Sequence, residues 1–478
     1  MASNNVTLVR GLGLTAATSV NIANMIGTGI FLKTRVMTCN VGTPGRVLAV
    51  WLVAGLLALA GALTYAELCA MMPRAGGEYV FIREAYGPRW GFLFGWTQFF
   101  IARTGSQAAL AVGFAIFLNI LTGGALGGIY FHWQLLGHDF AFGHLQVIAL
   151  SLLAVTTLIN CGAVALSGNV ASALTFLKIA LVLAVGVGAV IFARGDWAHF
   201  ALANIGGTCD DVNAAARGGM AGFGAAMLGA LWAYDGWNNI APLAGEVRNP
   251  QRNLPRAFFY GMAIVGALYI FANIAYFYVL TPTQIASVST SSSVATEVAS
   301  KFLGASAVML IAVALMISSF GALHTSVLAG GRFPYAMARD RLFFKSLSHI
   351  SPRTHVPVRA LVVQGIWSGV LALSGSYDTL TDYAIFALWI FYGLATASVF
   401  VFRRRMPHAE RPYRTWGYPV VPILFLLVTA WLIVNTLMTA PKQSFIGLAL
   451  IALGLPVYWY WSRNNQMVAA REDSTEER

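Results

Sequence analysis

Two glycines one residue apart, Gly27 and Gly29, stand inside the run Asn21-Ile22-Ala23-Asn24-Met25-Ile26-Gly27-Thr28-Gly29-Ile30-Phe31. Each weakens a helix by about 1 kcal/mol against alanine. In lipid, freed N–H and C=O groups must find partners, so a broken helix persists only where it is buried or lines a polar cavity. The run therefore predicts a break at Gly27-Thr28-Gly29. The amides that open the next half-helix are then bare and carry partial positive charge. A carboxylate fits there without any arginine, and the last carbonyls of the preceding half-helix suit an ammonium. A second interruption stands at Ala233-Tyr234-Asp235-Gly236-Trp237, where Trp232, Ala233 and Tyr234 end one half-helix. A zwitterion satisfies both kinds of helix end at once, so a free amino acid suits this geometry. The plainer reading is that the glycines only let helices pack closely. Paired interruptions in matching halves of a hydrophobic chain weigh for a binding site.

Single residues add to this. Lys178 lies deep in the apolar stretch 170–194, where an ammonium costs at least about 2.5 kcal/mol. It is expected to stand where a sodium ion would sit in a sodium-coupled relative, bracing span 1 against span 8 through carbonyls. A buried lysine can also lose its proton and couple transport to it; the plainer reading is a structural cation. Asp235 either caps the second half of its broken helix or meets a cationic side chain of the ligand. Trp232, Tyr234 and Trp237 are candidates for an aromatic lid, or else plain packing. Glu246 and Trp237 are gate candidates, and the alternative for Glu246 is a solvated helix end. Arg103 and Glu67 read as members of structural ion pairs or hydrogen bonds. Ser106, Phe320, His324 and Phe386 are wall candidates.

The elements that must position these groups are transmembrane helices. The chain is 58% hydrophobic and 10% charged, with mean hydropathy +0.69, against roughly 25% charged in soluble domains. No cleavable signal peptide is expected, since the segment before Gly11 is short and polar. The net charge of +12 does not mark a nucleic-acid protein, because the basic residues sit in alternate loops. Cys39, Cys69, Cys161 and Cys209 show no CxxC or zinc spacing. Cys39 and Cys209 face outside on this topology and so can bond, but two unrelated thiols is the expected reading. The 8 histidines form no metal motif. No cofactor or metal is implied.

Apolar runs of about 20 residues place twelve spans at 12–37, 46–72, 90–121, 145–163, 170–194, 219–244, 257–280, 304–331, 357–375, 380–402, 418–438 and 444–461. With the N-terminus inside, 21 of the 30 lysines and arginines fall in cytoplasmic segments, 7 outside and 2 within spans (Arg103 and Lys178). Both termini are therefore expected in the cytoplasm. The spans of 12–194 and 219–402 form two sets of five. An odd number forces the second set to run in the opposite sense, as in an inverted repeat. Residues 418–461 add spans 11 and 12, and 464–478 form a charged tail. The fold class expected is an all-α membrane protein, one polytopic domain with helices 1 and 6 unwound at mid-membrane. Pro73 to Tyr79 reads as a basic cytoplasmic turn opening an amphipathic helix. Residues 331–355 read as carrying an interfacial helix, and 287–293 as an external loop.

Several stretches resemble the amino acid–polyamine–organocation superfamily, in its L-type amino acid transporter branch. They are Ile26 through Phe31, Tyr65-Ala66-Glu67-Leu68 with Pro73 to Tyr79, Trp232 through Asn238, and Glu246 through Ala257. The resemblance implies the five-plus-five fold and sodium-independent amino acid transport, commonly obligatory exchange. It places the substrate carboxylate on the backbone of Thr28 and Gly29. The α-amino group goes to carbonyls near Met25, Trp232 and Ala233, with Ile26, Gly27, Tyr234, Asp235 and Asn238 around them. Lys178 matches the branch's fifth-span lysine. Animal members pair with a glycoprotein through a cysteine after span 3, and residues 122–144 hold none. No covalent partner is expected, and the chain resembles a stand-alone bacterial member of the inner membrane. The sequence thus reads as an L-amino acid antiporter for neutral and cationic amino acids, with a proton symporter using Lys178 as the alternative. A membrane-embedded enzyme is disfavoured: no Ser/His/Asp set, paired carboxylates or metal cluster can be assembled at one depth. A channel lacks a filter motif.

Overall fold

The structure, a computed structural model, describes residues 6–135, 138–289, 292–374, 377–439 and 441–463. The chain opens with α1 (Leu14–Met25) and α2 (Gly29–Val41), separated by Ile26, Gly27 and Thr28. Pro44 starts α3 (Pro44–Met71), its missing N–H costing nothing at a first helical position. A turn leads into α4 (Glu78–Tyr86). Next come α5 (Pro88–Thr97), one π-turn (Gln98–Ala102) and α6 (Arg103–Leu121). The rest is α7 (His144–Asn160), α8 (Val164–Phe192), α9 (Gly219–Tyr234), α10 (Pro250–Val279), α11 (Pro282–Ala286) and α12 (Val294–Leu303). After these follow α13 (Ser306–Gly330), α14 (Arg332–Arg339), α15 (Val358–Ser374), α16 (Tyr377–Arg405), α17 (Val420–Thr439) and α18 (Pro441–Ala452).

Among the described residues, seven helical stretches are long and apolar enough to cross a membrane, and three shorter ones are apolar. The chain is not wholly helical. After α6 it forms an antiparallel hairpin, β1 (Ile129–Leu135) with β2 (His138–Gly143), in register from Phe131↔Phe142 to Leu135↔His138. Aromatic and alternating residues there satisfy a strand better than a loop.

The two interrupted segments run side by side in opposite directions. At one end the Leu12 amide donates to Glu246 O at 3.0 Å and the Arg248 amide to Leu12 O at 2.8 Å. At the other end the Gly218 amide donates to Asn40 O at 2.7 Å. There Cys39 and Cys209 are joined in a disulfide, with Cα atoms 5.7 Å apart. The expectation of two unrelated thiols is thus overturned. Folding brings together residues 170 apart in sequence, which spacing alone does not show. α1 packs on α8, α10 and α13, and α2 on α9, so both breaks lie within the bundle.

Two further expectations change. α14 is not an interfacial helix, because Arg332, Phe333, Tyr335 and Met337 are all buried. After Gly236 the chain does not resume an α-helix; it turns and then forms a 3-10 segment, Ala241–Glu246. Gly236, Asn238, Asn239, Pro242 and Gly245 are poor α-formers. Residues 290–291 of the expected external loop and the tail 464–478 lie outside the described residues.

Candidate functional site

The first break is built from backbone. Ile26, with φ −73° and ψ 80°, leaves the helical region, and the Gly27 amide turns back on Met25 O at 2.7 Å. Among the described residues, none accepts from the amides of Thr28, Gly29 and Ile30. Three donors from neighbouring helices take the carbonyls that α1 leaves open. Lys178 Nζ donates to Ala23 O at 2.6 Å and Ile26 O at 3.0 Å. The Ser318 hydroxyl of α13 donates to Ile26 O at 2.6 Å. The Tyr269 hydroxyl of α10 lies 2.7 Å from Met25 O and 3.0 Å from Ala233 O. Lys178 is 2% exposed, so its ammonium is held by helix-end dipoles rather than by a carboxylate. It joins α8 to the end of α1, and Ser318 completes the brace to α13.

The second break faces the first. α9 ends at Tyr234, Asp235 is extended (ψ 145°), and Gly236 has φ +98°. A Cβ on Gly236 would come within 2.2 Å of Asn24 Nδ2, and one on Gly29 within 2.6 Å of Ala233 Cβ. Gly29 therefore does serve close packing. Gly27 does not, since a Cβ there would meet only Met25 O, at 3.9 Å. Beside the second break lies a cavity of about 30 Å³, lined among others by Asn24, Arg103, Ser106, Asp235, Asn238 and Tyr392, and by none of Met25 through Ile30. That is about the share of one liquid water, far below a free amino acid, so this conformation is closed over the site. A larger groove, about 800 Å³, runs from Thr7 and Leu8 past Arg74 to Arg339 and Lys345. It shares no lining residue with either break, and size does not make it the candidate site.

The cavity is polar on most sides. Tyr392 OH donates to Asp235 Oδ1 at 3.0 Å, and Arg103 Nη1 to Asn239 Oδ1 at 2.7 Å. Asn238 Nδ2 donates to Glu78 Oε1. The π-turn just before Arg103 is a common local device at functional sites.

The candidates named from sequence distribute unevenly. Met25, Ile26, Gly27, Thr28, Gly29, Ala233, Asp235 and Asn238 meet at the breaks. Asp235 caps no α-helix, because the chain turns at Asp235 to Ile240 and then forms the 3-10 segment. Trp232 is not part of a lid: the residue is 40% exposed, with Lys33 Nζ over its ring at 4.7 Å. Tyr234 is buried and donates to Trp51 O at 3.2 Å. Trp237 is buried against Tyr65, Tyr392 and Phe425. Glu246 is no solvated helix end. It is wholly buried, and Arg332 donates to its two oxygens at 2.8 Å each. Glu67 likewise holds Arg403, at 3.0 and 2.8 Å. Of the wall candidates whose side chains are described, only Ser106 lines the cavity. His324 is bonded to Asn160 and Ser167 O instead, Phe320 is half-buried, and the Phe386 side chain lies outside the described residues.

Sequence reasoning missed Tyr269, Ser318, Tyr392 and Glu78. The first three sit in uninterrupted apolar helices and carry no local signal. Glu78 follows Gly76-Gly77 in what reads as a surface turn, and only the folded chain carries it under the break.

Residues 12–459 match the amino acid permease family. The chain belongs to that family. It is 32% identical over 456 residues to a serine/threonine exchanger of Bacillus subtilis (strain 168), covering 95% of this chain and 97% of that protein. It is 30% identical over 457 residues to the b(0,+)-type amino acid transporter 1 of Mus musculus, covering 95% and 88%. It is 30% identical over 461 residues to the large neutral amino acids transporter small subunit 2 of Homo sapiens, covering 95% and 82%. The resemblance to the L-type branch is borne out by these relatives, which are transporters and not enzymes. Their family and the seven apolar helices make this amino acid permease a multi-pass membrane protein.

Proposed function

We propose that this permease is a sodium-independent amino acid exchanger working by alternating access through twelve spans in a five-plus-five inverted repeat. The observation that carries the reading is the pair of facing breaks, where among the described residues the amides of Thr28, Gly29 and Ile30 have no acceptor. These amides, at the start of α2, receive the substrate carboxylate. The substrate ammonium goes to the carbonyls of Met25, Trp232 and Ala233. Tyr269 has one proton to share between Met25 O and Ala233 O, and the Gly27 amide already donates to Met25 O, so the ammonium takes a free lone pair at Ala233 O and displaces a donor at Met25 O. Ile26, Gly27, Tyr234 and Asn238 shape the walls of the same site. Lys178 replaces a sodium ion by supplying a fixed positive charge to Ala23 O and Ile26 O.

The Arg103 charge acts on Asp235 across the cavity, which favours neutral over cationic side chains. Glu246, paired to Arg332 where the two broken segments meet, forms the cytoplasmic gate, with Trp237 closing the cavity from the side of α3. We place the chain in the inner membrane with both termini in the cytoplasm. We expect it to act without a disulfide-linked partner, since Cys39 and Cys209 are bonded to each other. A competition panel of amino acids against exchange in proteoliposomes tests the substrate class. Preference for neutral solutes supports the reading, and equal or better competition by cationic ones contradicts it. A second reading, proton symport through Lys178, is favoured by that ammonium having only carbonyl partners. It requires uptake driven by a pH gradient alone.

A further inference from the structure

α4 lies directly under the second break. The Gly76 amide donates to Pro242 O at 3.0 Å, which holds the turn before α4 on the 3-10 segment. Glu78, the first residue of α4, is 1% exposed. Its Oε1 accepts from Asn238 Nδ2. Among the described residues, Glu78 Oε2 has no partner, and neither has Asn238 Oδ1. An ionised carboxylate only accepts hydrogen bonds, and so does an amide oxygen. With Glu78 ionised, the two bonded residues each keep a buried acceptor that no described residue satisfies, a costly arrangement at low dielectric. One proton on Glu78 removes the mismatch, because a carboxylic acid and a primary amide each offer one donor and one acceptor.

We propose that Glu78 is a proton-binding latch, joining α4 to the broken segment beside the substrate site when protonated and releasing it when ionised. The groups facing it are Tyr65 and Cys69 on α3, Arg103 on α6, Asp235 at the break and Tyr392 on α16. The tyrosines and the thiol carry no charge near neutral pH. Arg103 favours the ionised form and Asp235 opposes it. The other charges near α4 are engaged elsewhere: Arg83 pairs with Asp340 and Glu84, and Arg405 donates to Ala85 O. Burial prevails, raising the Glu78 carboxyl to about 7 against the pull of its own backbone amide, the Arg103 charge and the Asn238 bond. Because the carboxyl is raised in the folded protein, the latch is fully made in acid and is lost as pH rises through about 7. Asn238 lines the cavity, so the state of the latch sets how readily the cytoplasmic side opens.

This rests on the transport reading for its consequence and not for the protonation itself. The experiment is exchange in proteoliposomes from about pH 5.5 to about pH 8.5, beside infrared titration of the same purified chain. The rate of the wild type should rise about fivefold through neutral pH as the latch releases. Glu78→Gln, an amide that still supplies one donor and one acceptor, should stay at the slow acid-limb rate throughout. The wild type should show a protonated-carboxyl C=O band that titrates near pH 7 and is missing from Glu78→Gln. A Glu78→Gln profile that follows the wild type overturns the latch, and so does the absence of a band belonging to Glu78. If Glu78→Gln does not fold, Glu78→Asp, too short to keep the Asn238 contact, must move the midpoint of the band. An unmoved midpoint overturns the proposal. A wild type that exchanges at no pH contradicts the transport reading, and the infrared titration still decides the proton.

Discussion

At the scale of single residues, the account rests on backbone groups that side chains keep available. Lys178 makes two charge-assisted bonds to α1 carbonyls, each worth about 1.5–3 kcal/mol. Lys178→Ala should slow exchange at least about tenfold, measured as initial rate per amount of reconstituted protein; a wild-type rate would remove the residue from the mechanism. The two glycine sites should behave in opposite ways. Gly236→Ala meets Asn24 at a backbone angle that alanine avoids and should lower stability by more than about 1 kcal/mol, read as a fall in unfolding temperature. Gly27→Ala has room and should leave that temperature in place. It should still weaken apparent affinity by about tenfold or more, since a methyl group then stands beside the amides that grip the carboxylate. The same loss of stability in both variants would mean that Gly27 serves packing alone.

At the scale of elements, the two broken segments are held together at both ends. The Cys39–Cys209 bond joins α2 to the loop before α9 across 170 residues. The chain-entropy estimate for such a loop is about 5 kcal/mol, an upper bound here because membrane helices persist in the unfolded state. Cys39→Ser should therefore lower the unfolding temperature, and alkylation with and without reductant should show two cysteines protected only when unreduced. Equal labelling in both conditions would contradict the bond. At the other end Glu246 and Arg332 are wholly buried. Removing one partner of such a pair costs about 3–5 kcal/mol. Glu246→Ala should be poorly folded, and Glu246→Leu combined with Arg332→Met should regain stability while its transport stays altered. Full recovery of transport would deny Glu246 a gating role.

What the sequence disclosed follows from where the physics is local. The break near Gly27 and the lone Lys178 in its apolar run are properties of single segments; the chain leaves the helix at Ile26 to Thr28, one residue ahead of the expected stretch, and Lys178 is buried. Asp235 and Asn238 were recognised with their helix, but not the 3-10 turn after Gly236, whose form depends on packing under α4. Glu78, Tyr269 and the disulfide belong to contacts between distant segments, which no periodicity records. Trp232 was misread for a related reason: a helix end shows which residues are near a break but not which way each side chain turns.

At the scale of the whole molecule, the proposed exchanger has only a cavity of about 30 Å³ beside its second break, and on that proposal transport requires both ends to open in turn. On the proposed reading, the substrate's charged groups make that movement favourable by bridging α2 and the end of α9. The empty carrier lacks this bridge and should cross slowly. Counterflow in sodium-free proteoliposomes without a pH gradient is the most direct test. Unlabelled amino acid inside should accelerate labelled uptake about tenfold or more over vesicles loaded with buffer alone. Uptake indifferent to internal amino acid would contradict the exchanger at its centre.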